Sequence, residues 1–314
     1  MNSCILLFPG QGSQFVGMGR DLAANFPEFS LTFEESSDIL GMNMSMLCFE
    51  DPEKNLNLTE FTQPAILTMS TAIYRVLESR CPLTVGFSAG HSLGEYSALV
   101  AIGALEFAAA LKAVQFRGQA MQRAVPVGTG AMAAYIGSFS EKVVAICAQE
   151  SNSQNTVEVV NYNSNTQLVL SGSKLAVEKV CGIISAEKLG RAIPLAVSAP
   201  FHSSLMKPAA DEMRRYFEKV KLDSFAGSIV ANTDAKAHNF ETYTKDILVR
   251  QVASPVLWTQ SLRLMAAQAP DALFVEVGPG NVLQGLVKKT LDSRECTGTS
   301  EVEALKSLLK RLGT

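Results

Sequence analysis

Short apolar runs alternate along this chain with longer stretches in which apolar positions recur at helical spacing. That alternation is typical of an α/β fold with a mainly parallel sheet. The first predicted strand, residues 4–8, ends in Pro9-Gly10 and is followed by a helix-like segment. The same reasoning predicts helices within 38–74 and over about 105–123, then a helix (204–220), a strand (228–231), a helix (243–252), a last strand (273–277) and a closing helix.

The middle of the chain follows a different order. Its predicted elements are a strand (130–136), a helix (140–149), two strands (156–162 and 167–171), a helix (174–189) and a strand (191–197). This β-α-β-β-α-β order is the ferredoxin-like arrangement, in which a small sheet carries two helices on one face. We therefore predict a large α/β-hydrolase-like subdomain, residues 1–126 and 199–314, and an inserted ferredoxin-like subdomain, residues 127–198.

Composition excludes several classes of function. With 314 residues, a net charge of −3 and a pI near 5.8, the chain does not resemble a general binder of nucleic acid or membrane surfaces. Its six cysteines form no Cys-x-x-Cys pair, which favours reduced thiols over a disulfide framework or a zinc site. The amino terminus lacks a signal-peptide pattern, and the longest apolar stretch, 98–114, contains Glu106 and Lys112. We expect a soluble cytoplasmic protein without a metal.

The strongest chemical signal is the segment Gly90-His91-Ser92-Leu93-Gly94, which joins an apolar, turn-prone stretch to a helix-like run. Glycines two residues either side of a serine permit a sharp strand-to-helix turn, because only hydrogen fits where strand and helix nearly touch. The serine hydroxyl then lies at a helix N-terminus, where free N–H groups can stabilise an oxyanion. Ser92 is therefore a candidate nucleophile, with a purely structural turn as the alternative.

A serine nucleophile needs a base, and the chain has three histidines. His202 follows the predicted strand 191–197, at the kind of position where the sites of α/β folds gather. It is the candidate base, with a buried structural histidine as the alternative. The side chain of His91 should diverge from that of its neighbour Ser92, and His238 lies in a polar stretch that indicates a surface loop.

The usual third member of a catalytic triad is missing from its expected place. In α/β-hydrolases the acid lies between serine and histidine in chain order, but no aspartate occurs between Asp51 and Asp211. A Ser-His dyad whose imidazole is held by an amide or a backbone carbonyl fits better. This feature argues against an ordinary esterase.

Arg117 occupies an unusual position for a charged residue. It shares a helical stripe with the apolar residues Ala110, Ala113, Val114 and Met121. A guanidinium on such a stripe must find an anion. One interpretation is a bidentate clamp for a substrate carboxylate, and the other is a buried ion pair with a glutamate.

The glycine-rich segment 10–14 could be mistaken for a dinucleotide fingerprint. The pattern fails because its sixth position is Phe15 instead of glycine. Gln11, which lies between two glycines at the end of a predicted strand, could instead serve as an oxyanion donor or orient another group.

Taken together, these segments resemble the malonyl-CoA:acyl-carrier-protein transacylase family of type II fatty acid synthesis. The matching segments, in the family's order and spacing, are Phe8-Pro-Gly-Gln-Gly-Ser-Gln14, Gly90-His-Ser-Leu-Gly-Glu95, Phe116-Arg-Gly118, Gly128-Thr-Gly-Ala-Met132, Asn161-Tyr-Asn163 with Gln167, Ser198 to Ser203, Gln251 with Ser254-Pro-Val-Leu-Trp258, and Glu276-Val-Gly-Pro-Gly-Asn281. One departure is Asn165-Thr166, where relatives often carry proline, and it bears on turn rigidity only.

The resemblance implies a role for each candidate residue. Ser92 would be the nucleophile and His202 the general base, with its imidazole held by the backbone carbonyl of Gln251. The backbone N–H groups of Gln11 and Leu93 would form the oxyanion hole.

The resemblance also implies the substrates. Arg117 would clamp the malonyl carboxylate, and Phe201, Asn161 and Asn163 would line the acyl pocket. Malonyl would pass from malonyl-CoA to Ser92 and then to the phosphopantetheine thiol of holo-acyl carrier protein. CoA is then a substrate, no cofactor is needed, and we expect a monomer. A serine hydrolase or thioesterase acting on acyl thioesters is the alternative.

Acyl carrier protein is strongly acidic in this pathway, so the mouth of the cleft should carry a basic patch. Lys288 and Lys289, on the predicted closing helix, are the candidates for this docking surface. A solvated helix face is the alternative interpretation.

Overall fold

The computed structural model describes residues 3–197 and 199–313. The strands within them are β1 (Cys4–Phe8), β2 (Val85–Gly90), β3 (Gly130–Ile136), β4 (Val157–Ser164), β5 (Gln167–Ser173), β6 (Arg191–Pro194), β7 (Ile229–Val230), β8 (Ala237–His238), β9 (Leu273–Glu276) and β10 (Cys296–Gly298). The α-helices are α1 (Arg20–Asn25), α2 (Pro27–Leu40), α3 (Met44–Phe49), α4 (Thr59–Arg80), α5 (Gly94–Ala101), α6 (Phe107–Arg123), α7 (Ser140–Glu150), α8 (Lys174–Ala186), α9 (Lys207–Phe217), α10 (Lys245–Gln251), α11 (Trp258–Gln268), α12 (Val282–Thr290) and α13 (Val302–Leu312).

The larger sheet has the strand order β10-β9-β1-β2-β7-β8, and its neighbouring strands are parallel except for β7 with β8. Every residue of β1 is buried, as expected for a central parallel strand covered on both faces. One face packs on a core that includes α4, α5 and α6, and the other face packs on α11 and α12. The predicted α/β class with a mainly parallel sheet is confirmed.

The smaller sheet has the order β4-β5-β3-β6 with antiparallel neighbours. Apolar residues of α7 and α8 pack against it and form a separate core. The chain order β3-α7-β4-β5-α8-β6 is the predicted ferredoxin-like arrangement. The predicted subdomain limits at residues 127 and 198 stay a prediction, and Ser198 lies outside the described residues.

Two segments differ from the sequence-based expectation. The strand predicted over 273–277 is not the last, because β10 adds to the sheet beside β9 and α13 follows it. His238 does not lie in a simple surface loop: it belongs to β8, and its imidazole contacts Asp234. β8 and β10 contain two and three residues and have exposed or half-exposed positions, so neither shows the buried apolar run by which the equally short β7 could be predicted.

The smaller sheet is joined to the rest of the fold where β4 pairs with the segment before α11. The backbone N–H of Val256 donates to the carbonyl of Val160 over 2.8 Å, and that of Tyr162 donates to the carbonyl of Val256 over 3.0 Å. These bonds bring the residues on β4 over the carboxyl end of the larger sheet, where α/β folds place their sites. Among the described residues, no helix has both the length and the apolar character that crossing a bilayer requires.

Candidate active site

Ser92 lies at a strained turn between β2 and α5. Its φ of 51° is in the left-handed region, which residues other than glycine rarely adopt. A Cβ on Gly90 would overlap the backbone of Gly94, and one on Gly94 would overlap the carbonyl of Phe8. Glycine at both positions therefore lets β1, β2 and α5 approach closely enough to hold Ser92 in this conformation.

His202 faces Ser92 from the segment before α9. Its Nε2 lies 2.7 Å from Oγ of Ser92, and its Nδ1 lies 2.9 Å from the backbone oxygen of Gln251. A carbonyl oxygen can only accept, so Nδ1 carries the proton and Nε2 is left to accept from the hydroxyl. His202 also has a positive φ, 63°, so both members of the pair depend on the surrounding structure to hold their backbone.

The environment of His202 keeps its imidazole neutral. Burial, together with the positive charge of Arg117, lowers the pKa of His202 to about 3, against a smaller opposing effect of the hydrogen bond to the Gln251 carbonyl. The neutral form is the one that can accept a proton from a hydroxyl. His202 is therefore unprotonated at neutral pH and can accept the hydroxyl proton, although so low a pKa also makes it a weaker base than an ordinary imidazole.

Arg117 reaches the same hydroxyl from α6, although only 1% of the residue is exposed. Its Nη2 donates to Oγ of Ser92 and to Oε1 of Gln251, each over 3.1 Å, and its Nη1 donates to Oε1 of Gln63 over 3.0 Å. No carboxylate of the described residues forms a salt bridge with it, so the alternative, a buried ion pair with a glutamate, is not formed in this structure. A buried guanidinium with only neutral acceptors is a ready site for an anion.

Gln251, at the end of α10, connects the other groups. Its backbone oxygen accepts from His202 and its side-chain oxygen accepts from Arg117. Its Nε2 donates to the backbone oxygen of Ser92 over 2.9 Å and to Oε2 of Glu95 over 2.8 Å. The predicted contact with the imidazole is present, and the side-chain amide adds a contact that the sequence did not suggest.

Three residues to which the sequence assigned no role, Glu95, Tyr243 and Asn232, lie beneath Ser92. Glu95 is fully buried, and its carboxylate accepts from Oη of Tyr243 (2.6 Å), Nε2 of Gln251 (2.8 Å) and the backbone N–H of Asn232 (3.0 Å). Burial raises the pKa of Glu95. A signal did exist for Asn232, which directly follows a predicted strand and so lies at the carboxyl edge of the sheet.

The predicted oxyanion donors are the backbone N–H groups of Gln11 and Leu93, and both are available to donate to a new hydrogen-bond partner. The backbone N–H groups of Gln11 and Leu93 have no acceptor among the described residues, whereas the neighbouring N–H groups of His91 and Gly94 are used in backbone bonds. Gln11 and Leu93 both line the same cavity as Ser92. The side chain of Gln11 donates to Oγ1 of Thr59 over 3.3 Å, so only its backbone is available.

A cavity of about 360 Å³ surrounds the hydroxyl of Ser92. Residues on the smaller sheet and residues outside it both line this cavity. The predicted pocket residues Asn161, Asn163 and Phe201 are all among them. Nε2 of His91 lies 2.8 Å from Oδ1 of Asn163, so this imidazole is directed away from the Ser92 hydroxyl. The cavity can accommodate a small acyl group beside both Ser92 and Arg117.

Lys288 and Lys289 are exposed in the last turn of α12. The start of that helix lines the cavity through Val282, Leu283 and Leu286. The lysines themselves do not line it, so they lie outside the pocket but on a helix that borders it. A second groove, of about 940 Å³, lies between α6 and α9 and contains none of the predicted site residues.

Comparison with known proteins gives consistent matches over nearly the whole chain. The acyl transferase domain family matches residues 5–311. A malonyl CoA-acyl carrier protein transacylase of Escherichia coli K12 is 43% identical over 310 residues, which cover 99% of this chain and 100% of that protein.

Solved structures are similar at the same level. The malonyl CoA-acyl carrier protein transacylase of Coxiella burnetii superposes with a TM-score of 0.95 at 37% identity and covers 100% of this chain and 99% of its own. A malonyl-transacylase solved in complex with its type II PKS acyl-carrier protein has a TM-score of 0.94 at 40% identity, covering 98% of this chain and 99% of its own.

Proposed function

This chain belongs to the malonyl-CoA:acyl-carrier-protein transacylase family of acyl transferases, and we propose on that premise that it moves malonyl from malonyl-CoA to the phosphopantetheine thiol of acyl carrier protein in type II fatty acid synthesis, through an ester on Ser92. The observation that carries this proposal is the convergence of two groups on one hydroxyl. Nε2 of His202 lies 2.7 Å and Nη2 of Arg117 lies 3.1 Å from Oγ of Ser92.

In the first half-reaction, Oγ of Ser92 attacks the thioester carbonyl carbon while its proton passes to Nε2 of His202. The carbonyl oxygen becomes an oxyanion, which accepts from the N–H groups of Gln11 and Leu93. When the oxyanion collapses, the carbon–sulfur bond breaks and the CoA sulfur takes the proton from His202. The products are CoA thiol and the malonyl ester of Ser92.

The second half-reaction runs the same steps in the opposite sense. The phosphopantetheine thiol gives its proton to His202 and attacks the ester carbonyl, and Ser92 regains a proton as the carbon–oxygen bond breaks. The ester must survive until the carrier protein arrives. Enclosing the ester in the cavity of about 360 Å³ around Ser92 would limit the access of water during that interval.

Arg117 accounts for the choice of acyl group. An uncharged acyl group would offer no ionic partner to the buried guanidinium next to the nucleophile. A malonyl group ends in a carboxylate, which can take the place of the neutral acceptors that Arg117 uses in the free enzyme. Arg117 therefore favours an acyl group that carries a negative charge over acetyl.

The proposed steps use groups of a single chain, and CoA takes part as a substrate thioester. A monomer that acts in the cytoplasm without a bound cofactor stays our prediction.

Labelled malonyl-CoA tests the proposal and the alternative together. The transacylase is expected to form a malonyl ester, detectable by intact mass, and to pass the label to holo-acyl carrier protein. The Ser92→Ala variant should form no ester. Release of free malonate in place of transfer would establish a thioesterase, and an adduct that persists in Ser92→Ala would overturn the assignment of the nucleophile.

A further inference from the structure

The strained turn at Ser92 is held by the side chain of Asn232. Oδ1 of Asn232 accepts from the backbone N–H of Ser92 over 2.7 Å, and its Nδ2 donates to the backbone oxygen of Gly90 over 2.7 Å. The two bonds therefore bracket His91. The planar amide of Asn232 thus hydrogen-bonds both to Gly90 and to Ser92.

This pair of bonds has the pattern of a parallel β-ladder. In such a ladder, one residue donates to the carbonyl before its partner and accepts from the N–H after it. β2 pairs with β7 through Ser88↔Ile229 and Ala89↔Val230, so Asn232 lies opposite His91 in the same register. The side-chain amide of Asn232 continues the ladder beyond the end of β7, where the backbone pairing stops.

Asn232 is itself rigidly placed. It is fully buried, its backbone N–H donates to Oε2 of Glu95 over 3.0 Å, and its backbone oxygen accepts from the N–H of Leu257 over 2.9 Å. These contacts come from α5 and from the segment before α11. A side chain anchored on both sides can hold its neighbour to a narrow range of positions.

We propose that Asn232 is a positioning residue that keeps Oγ of Ser92 in line with Nε2 of His202. The proposal rests on the proposed function, in which Ser92 is the nucleophile. Because the N–H of Ser92 already donates to Asn232, it is not available to the oxyanion, which accepts from the N–H groups of Gln11 and Leu93 instead. Its effect should be the same for every acyl group, unlike that of Arg117.

The variant Asn232→Asp gives a pH-dependent test. A protonated aspartic acid can accept from the N–H of Ser92 and donate to the carbonyl of Gly90, as the amide does. The carboxylate has no proton to donate and would be repelled by the Gly90 oxygen. The titratable or charged groups around this site are His91, which lies opposite Asn232, Glu95 on α5, Tyr243 and Asp234 after β7, Arg117 on α6, and His202. Burial lowers the pKa of His91, which favours its neutral form.

Burial and the nearby carboxylate of Glu95 would raise the pKa of the introduced aspartate above its ordinary range. We therefore expect single-turnover acylation of Asn232→Asp to be slowed on the order of 10²-fold at pH 8 and to recover towards the wild-type rate at pH 5. The loss should be equal for malonyl-CoA and acetyl-CoA, with KM unchanged. Asn232→Ala, which keeps both backbone bonds of this residue, should be slowed at every pH.

Asn239→Asp provides the matched control, because it makes the same charge change in an exposed turn of the same segment. It should follow the wild-type profile. Thermal unfolding measured at the same pH values separates a positioning effect from a loss of folded protein.

Two results would overturn the proposal. One is wild-type acylation rates in both Asn232→Asp and Asn232→Ala across the pH range. The other is a loss that follows the unfolded fraction. If the wild-type protein itself forms no malonyl ester, the proposed function fails instead, so the two failures are distinguishable.

Discussion

Nη2 of Arg117 lies 3.1 Å from Oγ of Ser92, so the hydroxyl that donates to His202 also accepts from a buried cation. A positive charge beside a hydroxyl favours the loss of its proton. The same guanidinium is within reach of any acyl group that Ser92 carries. One arginine is thus placed both to activate the nucleophile and to select its substrate.

His202→Ala should slow acylation of Ser92 by about 10²–10⁴-fold, because the variant removes a positioned base. The measurement is the single-turnover rate with malonyl-CoA. His238→Ala is the matched control, since His238 contacts Asp234 away from the cavity, and it should acylate normally. A near-normal acylation rate in His202→Ala would show that His202 is not the base and would make His91 the next candidate.

The lowered pKa of His202 predicts an acid-tolerant first half-reaction. Because its pKa falls from the ordinary 6.5 to about 3, the imidazole stays neutral as the pH drops from 8 to 5, and the rate should change little. A histidine with an ordinary pKa would be mostly protonated at pH 5, and the rate would fall about 30-fold. A profile that breaks near pH 6.5 would contradict the lowered pKa.

Arg117→Ala should reduce acylation by malonyl-CoA far more than acylation by acetyl-CoA. Arg117→Lys should restore only part of the preference, because an ammonium cannot form two parallel hydrogen bonds with a carboxylate. Arg123→Ala is the control on the same helix, where the side chain is exposed and paired with Glu212. Equal losses for both substrates in Arg117→Ala would indicate a structural role.

Phe201→Ser should raise the turnover of methylmalonyl-CoA relative to malonyl-CoA. Phe201 lines the cavity beside His202 and is 7% exposed, so a smaller residue would make room for one methyl group. Such a group is worth about 1–3 kcal/mol, so the change should be measurable but limited. Phe139→Ser, at an exposed position, should leave the ratio unchanged. If the ratio of methylmalonyl-CoA to malonyl-CoA turnover is unchanged in Phe201→Ser as well, Phe201 does not determine the selectivity.

Lys288→Glu combined with Lys289→Glu should raise the KM for acyl carrier protein, most strongly at low salt. The reason is the loss of two exposed positive charges on a helix that borders the cavity. Acylation of Ser92 by malonyl-CoA should be unaffected. Lys219→Glu with Lys221→Glu, at the separate groove, is the matched control. A change in both half-reactions would mean that the lysines support the fold or bind CoA.

The sequence by itself determined the local geometry of the nucleophile and the class of fold. Gly90 and Gly94 indicate a close strand-to-helix approach, because each excludes a Cβ for steric reasons that act over a few residues. The β-α-β-β-α-β order follows from periodicity alone. Arg117 could be singled out because a charge on an apolar stripe contradicts its surroundings.

Only the tertiary structure decided which groups meet at Ser92. Asn232 and Gln251 contact its backbone from 140 and 159 residues away. Asn232 follows a predicted strand and Gln251 lies in a matching segment, but their contacts with the backbone of Ser92 depend on the packing of β7 beside β2 and of α10 beneath the turn, which spacing along the chain does not specify. The tautomer and lowered pKa of His202 have the same origin. The tautomer depends on the backbone carbonyl of Gln251, and the lowered pKa depends on the burial of the imidazole. Both exist only in the folded chain, where segments distant in sequence pack around Ser92.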